Sequence, residues 1–325
     1  MADVIGRLAP SPTGALHLGN ARSFLLAWLS ARQQYGKLLL RIEDIDSPRV
    51  KPWAREQTLA DLRWLGLDWD WGPDVKGPHA SYIQTERWQR YRSVLEQLAL
   101  DGAIYSCSCS RREVTEAASA PHESSASPLQ LLEGNVYPGT CRSKQPNEEA
   151  GEFAWRWCFD SGESSWIDAV LGKQTANPES QLGDFVIGKS DGTPAYQLAV
   201  VVDDFDMGVT EIVRGSDLVP STYRQLAILK HLGWPLPTYC HVPLMVGPDG
   251  RRLAKRHGDT RLSYFRELGF QPQVLVGYLA WTLGLQQRPE ALEPDALIGT
   301  LDWQKISAAP TVFCLEEFLN SFARG

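Results

Sequence analysis

The sequence predicts an α/β fold: a parallel, βαβ-built main domain, a small metal-binding insertion and a helical C-terminal portion. Three observations carry this expectation. Short apolar runs alternate with runs of helical spacing from the N-terminus onward. A Cys-x-Cys pair precedes an aperiodic Ala/Ser/Glu/Pro stretch. Strand-like runs with Asp-Gly turns then resume before an apolar helical tail. At 325 residues with 43% hydrophobic composition, the chain can bury a large core and exceeds the usual single domain.

Val4 to Leu8 reads as a buried strand, broken by Pro10-Ser11-Pro12-Thr13-Gly14, and Ala21 to Gln34 carries apolar residues at helical spacing. Lys37 to Ile42 is a second buried strand, ending in Glu43-Asp44-Ile45-Asp46, and Trp53 to Leu65 is helical again. Parallel βαβ units place ligands at the carboxyl ends of their strands, so the Pro/Gly loop and the acidic cluster converge on one rim. Residues 115–135 read as an inserted loop leading to Tyr137-Pro138-Gly139-Thr140-Cys141. Phe185-Val186-Ile187 and the strand-like run Tyr196 to Val202 flank Asp191-Gly192, a hairpin signal. After Val242 to Val246, a second Asp-Gly pair at 249–250 leads into the basic run Arg251 to His257. Leu262 to Leu283 and Glu290 to Gly325 read as helical, the latter packing back on the core. The expected organisation is 1–105 and 184–258 as the halves of the main domain, 106–183 as the insertion and 259–325 as the helical region.

Twelve tryptophans, Trp64, Trp155 and Trp281 among them, sit in apolar surroundings and are expected in the core. With 32 Lys and Arg against 39 Asp and Glu, the net charge is −7, so charge alone does not point to nucleic acid, and RNA would need a local basic patch. No stretch approaches the roughly 18 to 20 apolar residues of a membrane helix, and the N-terminus lacks a signal-peptide pattern, so a cytoplasmic protein without a membrane partner is expected. Six cysteines are too sparse for a disulfide scaffold.

The chemistry lies in short motifs. His17-Leu18-Gly19-Asn20 stands where the first loop meets the first helix: the glycine admits a nucleotide to the backbone, the helix N-terminus favours phosphate oxygens, and His17 can donate to developing negative charge. The competing reading of His17 is a helix cap or a surface residue. Far along the chain, Lys255 in Arg252-Leu253-Ala254-Lys255-Arg256 can reach phosphates, the alternative being a solvated basic turn. Cys107, Cys109 and Cys141 offer three soft ligands suited to Zn²⁺, and a tetrahedron needs a fourth. Buried free thiols without metal are the alternative.

Arg7-Leu8-Ala9-Pro10-Ser11-Pro12-Thr13-Gly14-Ala15-Leu16-His17-Leu18-Gly19-Asn20, with Arg41 to Asp46, closely resembles the glutamyl-tRNA synthetase family, whose two class I signatures appear here as HLGN and RLAKR. Tyr196 to Asp204 and Val213-Arg214-Gly215-Ser216-Asp217-Leu218 resemble that family as well, and the likeness runs from residue 4 to about 285. It implies a Rossmann-type class I synthetase catalytic domain. It also implies a glutamate pocket of Arg7, Leu8, Ala9, Pro10, Ser11, Glu43, Tyr196 and Arg214, with His17, Gly19, Asn20 and Lys255 serving ATP and catalysis and Mg²⁺ accompanying ATP. Arginine forks suit the substrate's carboxylates and Glu43 its ammonium. Arg7 would otherwise be a strand-edge ion pair, Glu43 a solvated acid, Tyr196 a core strand residue and Arg214 a surface charge. Asn20, Arg252 and Ala254 depart from the more usual family residues.

Cys-x-Cys followed by Tyr137-x-x-x-Cys141 is similar to the zinc site of a shortened branch, the glutamyl-Q tRNA(Asp) synthetases, which points to Tyr137 as fourth ligand. His122, Cys158 or a water are alternatives. The stretch after Arg256 is too short for a full anticodon reader, and Val209 to Leu218 resembles that branch. The resemblance implies a monomeric enzyme that converts L-glutamate and ATP to glutamyl-adenylate and transfers glutamate to queuosine in tRNA(Asp). The alternatives are a shortened enzyme charging the 3′ end of tRNA(Glu), a non-catalytic glutamate- or tRNA-binding module, and transfer to a carrier protein or small amine.

Overall fold

A computed structural model describes residues 3–45, 49–118, 129, 136–143, 153–253 and 257–322. Lys255, with Ala254 and Arg256, lies outside the described residues, as do Asp46, His122 and most of the 115–135 stretch.

Strand β1 (Ile5–Leu8) pairs in parallel with β2 (Lys37–Leu40) across helix α1 (Leu18–Gln33). The last three residues of both strands are buried, which is why these runs are continuously apolar rather than alternating. On the other side of β1 lies β8 (Glu211–Gly215), held by Thr210 N donating to Ile5 O at 2.9 Å and Arg7 Nη1 donating to Val213 O at 3.0 Å. Strand β8 runs parallel to β9 (Thr238–Val242), which meets β5 (Ser164–Asp168) in parallel at Asp168 and Tyr239, while β6 (Gly172–Ala176) adds an antiparallel edge. The result is a Rossmann-like sheet with α1 against β1 and β8.

A second, antiparallel sheet joins β3 (Ile104–Cys107), β4 (Ala154–Trp157) and β7 (Phe185–Gly188). It carries the cysteine group at the end of β3. Strands β5 and β6, although within residues 106–183, belong to the main sheet.

The run from Tyr196 is a helix, α6 (Tyr196–Asp206), not a strand. Short helices α4 (Arg111–Ala118) and α5 (Pro178–Gln181) precede it. Its three consecutive valines favour a strand locally, but Leu198 through Asp204 are all buried, and a helix enclosed on nearly every side shows no amphipathic stripe. The Asp-Gly turn before it does form, with Gly192 at φ +81° and Gly188 bridging Pro194. Helices α2 (Ala54–Trp64), α3 (Trp88–Leu100) and α7 (Val219–His231) complete the layers.

The stretch expected as one helix from Leu262 is two, α8 (Leu262–Glu267) and α9 (Pro272–Thr282), because Gly269 takes φ +83° after the first and Pro272 opens the second. The tail is less helical than its composition suggests: two single 3₁₀ turns, then β11 (Thr311–Val312) parallel to β10 (Met245–Val246), then α10 (Leu315–Phe322). It folds back all the same. Phe318 is buried against Phe265, Tyr278 and Phe313 with ring centroids 5.2, 4.8 and 6.0 Å away. Trp281, by contrast, is 43% exposed rather than in the core.

Candidate active site

Strands β1 and β8 end side by side, and a cleft of about 390 Å³ opens over their carboxyl ends. Its walls include Arg7, Ala9, Pro10, Ser11, His17, Gly19, Asn20, Glu43, Tyr196 and Arg214. Most of the residues singled out from sequence therefore meet around one space. Leu8 does not line it. That side chain points into the core, and its carbonyl accepts from Arg41 N at 2.9 Å. Glu43 N likewise donates to Pro10 O at 3.0 Å, which carries the β1–β2 pairing past the strand ends and brings Glu43 against the Pro-rich loop.

His17 is the N-cap of α1. Its Nδ1 accepts from Gly19 N at 3.1 Å, and Asn20 Oδ1 accepts from His17 N at 3.3 Å, so the two side chains form a reciprocal capping box. Asn20 thus has a structural role in capping α1. With Nδ1 accepting, the neutral ring carries its proton on Nε2. Burial, then the neighbouring Arg252 cation, lowers its pKa to about 4, so at neutral pH His17 is an uncharged donor. At Gly19 the space is tight: a Cβ there would lie 3.1 Å from the His17 ring, so the ring would have to give way slightly.

The segment just beyond the second signature is brought to the first by backbone pairing. Leu18 N donates to Thr260 O at 3.0 Å and Leu262 N to Leu16 O at 2.9 Å. The Asp249-Gly250 turn closes a hairpin in which Val246 bridges Arg252, and His257 Nε2 lies 2.9 Å from Asp249 Oδ1. Arg252 pairs with Asp217 at 2.9 Å, which ties this hairpin to the segment after β8.

Beneath the cleft floor is a buried ion network. Arg41, fully buried, donates to Glu43 Oε1 at 2.8 Å and to Asp204 Oδ1 at 2.7 Å, with Asp203 3.6 Å away. Arg7 Nε lies 3.6 Å from the same Asp204 oxygen. Burial lowers the Arg7 pKa and raises that of Glu43, the latter opposed by Arg41. Tyr196, at the start of α6, has its hydroxyl pushed up to about 12 by burial and then by Glu43, so it is a neutral hydrogen-bonding group.

Arg214 on β8 is buried. Its Nη2 donates to Thr222 Oγ1 at 2.7 Å and its Nε to His241 Nε2 at 3.1 Å, and its Nη1 has no protein partner. His241 Nδ1 in turn is 2.7 Å from Asp168 Oδ2. Sequence reasoning missed Arg41, Asp204, Thr222, His241 and Asp168 as parts of this site. A signal existed for Asp203-Asp204, since two acids inside an apolar run must find cations. None existed for Asp168 and His241, which meet only through the β5–β9 pairing.

At the second sheet, the sulfurs of Cys107, Cys109 and Cys141 lie within 4.8 Å of one another, the one ligand cluster of this kind among the described residues. Cys109 and Cys141 sulfurs are 3.5 Å apart, and Tyr137 Oη is 3.4 Å from Cys107 Sγ and 3.7 Å from Cys109 Sγ. Tetrahedral zinc with bonds of about 2.3 Å to sulfur separates its ligands by roughly 3.8 Å, so the spacing fits such an ion. Arg156, buried, donates Nε to Cys107 Sγ at 3.2 Å, with its guanidinium 3.8 Å from the Tyr137 ring centroid, a cation suited to an anionic donor set. Cys158 stands outside the cluster.

Comparison with known proteins agrees with this architecture. The family model for class I tRNA synthetases (E and Q), catalytic domain, matches residues 3–318. The chain is 48% identical to glutamyl-Q tRNA(Asp) synthetase of Symbiobacterium thermophilum over 311 residues, covering 94% of each. It is 48% identical to that of Rhodopirellula baltica over 328 residues, 96% of this chain and 97% of the relative. Glutamate–tRNA ligase of Anaeromyxobacter dehalogenans is 42% identical over 315 residues, 96% of this chain but 64% of the relative. The crystal structure of glutamate-tRNA synthetase from Elizabethkingia anophelis superposes with a TM-score of 0.83 at 28% identity, covering 97% of this chain and 69% of that one.

Proposed function

Because the chain belongs to the class I tRNA synthetases of the glutamate and glutamine type, we propose that it is a ligase that activates L-glutamate with ATP and transfers it to queuosine of tRNA(Asp). The observation that carries this reading is the degree of likeness: the chain is 48% identical to two glutamyl-Q relatives over more than nine-tenths of their length, against 42% to the glutamate–tRNA ligase, of which it spans 64%. The cleft supports the chemistry. It sets two buried guanidinium groups and one buried carboxylate around a space next to a helix N-terminus, a charge pattern complementary to the two carboxylates and one ammonium of glutamate.

In the first step a glutamate carboxylate oxygen attacks the α-phosphorus of ATP, forming the mixed anhydride and releasing pyrophosphate. Arg7 and Arg214 hold the carboxylates, Glu43 takes the ammonium, and Tyr196 closes the pocket as a neutral hydrogen-bonding group. The N-terminus of α1 and the His17 Nε2–H face the phosphates, with Lys255 serving the leaving pyrophosphate. Magnesium accompanies ATP in class I synthetases and neutralises phosphate charge. Catalysis here is positioning and electrostatics, because the anhydride is reactive enough for a ring hydroxyl of queuosine to attack its carbonyl carbon in the second step, breaking the acyl–phosphate bond and releasing AMP while the hydroxyl proton passes to the phosphate or to water. Cys107, Cys109, Cys141 and Tyr137 would hold a structural zinc that fixes the end of β3, with Arg156 balancing their charge.

The test is glutamate-dependent exchange of labelled pyrophosphate into ATP without RNA, followed by transfer of labelled glutamate to tRNA(Asp) with and without queuosine. Exchange with queuosine-dependent labelling is the expected result. Labelling of tRNA(Glu) at its 3′ end instead would assign the chain to the charging reaction, and absence of exchange by folded protein would remove the activation chemistry.

A further inference from the structure

We propose that His241, oriented by Asp168, is the positioning residue that fixes the Arg214 guanidinium for a substrate carboxylate. The inference rests on the reading above, in which Arg214 faces glutamate. It starts from Asp168, whose side chain is fully buried and saturated with donors. Oδ1 accepts from Val170 N at 2.9 Å and Leu171 N at 2.8 Å, and Oδ2 accepts from His241 N at 3.0 Å and His241 Nδ1 at 2.7 Å.

A carboxylate at Nδ1 keeps that nitrogen protonated and leaves Nε2 as the acceptor of the neutral ring. Nε2 faces two groups, Arg214 Nε at 3.1 Å and Thr222 Oγ1 at 3.0 Å. Neither ring nitrogen is free for proton transfer to a substrate, so the histidine holds rather than reacts. A second cation beside Arg214 would be unfavourable, and burial together with that guanidinium keeps the ring neutral.

The consequence for Arg214 is geometric. Nε is fixed by His241 and Nη2 by Thr222, while Tyr239, nearly parallel to the His241 ring at 11°, covers the guanidinium with its centroid 5.3 Å from Cζ. Only Nη1 lacks a protein partner, on a residue that lines the cleft. A cation pinned on two edges and one face keeps its Nη1 donor for an acceptor in the cleft, and its buried positive charge favours a carboxylate over the neutral carboxamide of glutamine.

The test uses the full chain with His241→Leu, His241→Gln, Asp168→Asn and Arg214→Leu, reading pyrophosphate exchange for the KM of glutamate and of ATP separately, with circular dichroism melts. His241→Leu is expected to raise the glutamate KM by roughly tenfold or more while leaving the ATP KM unchanged, and to narrow the preference over glutamine. His241→Gln, whose amide oxygen can stand at the Nε2 position, recovers most of the loss. Asp168→Asn is the variant that keeps the volume: its amide nitrogen facing Nδ1 forces the proton onto Nε2, against Arg214, so it raises the glutamate KM as His241→Leu does even if the leucine variant does not fold. An unchanged glutamate KM in folded His241→Leu or Asp168→Asn overturns the proposal, as does a parallel rise of both KM values. An unchanged glutamate KM in Arg214→Leu overturns the underlying assignment instead.

Discussion

His17 is both a helix cap and a candidate donor to phosphate, and two substitutions separate these roles. In the structure Nδ1 caps Gly19 N, leaving Nε2–H as the donor. His17→Asn keeps an N-cap oxygen, so its stability should stay within a few tenths of a kcal/mol of the parent, whereas His17→Ala loses a cap of about 1 kcal/mol. Both remove the imidazole donor. Removing one donor aimed at transition-state charge costs on the order of 10²- to 10³-fold in rate. Urea unfolding followed by circular dichroism should rank the two variants apart, and pyrophosphate exchange should find them equally slow. Because burial and Arg252 lower the ring's pKa to about 4, the exchange rate should show no titration of this group between pH 6 and 8. Wild-type exchange by His17→Asn would refute the reasoning and leave the ring a cap only.

Other expectations follow from the same geometry. Purified protein should carry one zinc per chain by elemental analysis. Tyr137→Phe should lose that zinc to a chelator faster than wild type, while identical release would remove Tyr137 from the ligand set. The difference in stability between wild type and His241→Gln should shrink as pH falls. The folded His241 pKa, lowered to about 4 by burial, lies below the unfolded 6.5, so the contribution is full above 6.5 and lost on descending to 4, by on the order of 3 kcal/mol. The difference curve is required because Asp61, raised to about 6 by burial, has the opposite sign over part of that window. Phe318→Ala should cost roughly 3 kcal/mol in chemical unfolding, since the ring sits at the centre of the aromatic cluster that docks the tail, and a loss below 1 kcal/mol would contradict that packing.

The opening βαβ unit was legible because its two strands are buried on both faces and its loop is punctuated by proline and glycine, signals that act within a few residues. The motif residues were legible as motifs, and the structure gathers Arg7, His17, Glu43, Tyr196 and Arg214 around one cleft. Tyr196 lies in a helix rather than a strand for a physical reason: Val200-Val201-Val202 favours a strand, and enclosure by the sheet and neighbouring helices overrides that preference. The break at Gly269 and Pro272 is written in the sequence, but the apolar spacing continues on both sides of it and masks the boundary. Asp168, Thr222 and His241 could not have been assigned to Arg214 from sequence, since the β5–β9 and β8–β9 pairings that bring them together are long-range.

The rung joining Leu16–Leu18 to Thr260–Leu262 has a consequence for synthesis. The first signature leaves the ribosome almost at once, but the segment that clasps it emerges only when most of the chain has been made. A nascent chain can assemble its first strands and helix early and still lack the segment that clasps the start of α1. Activation is therefore expected to begin only once residues 260–262 have joined the fold, late in synthesis.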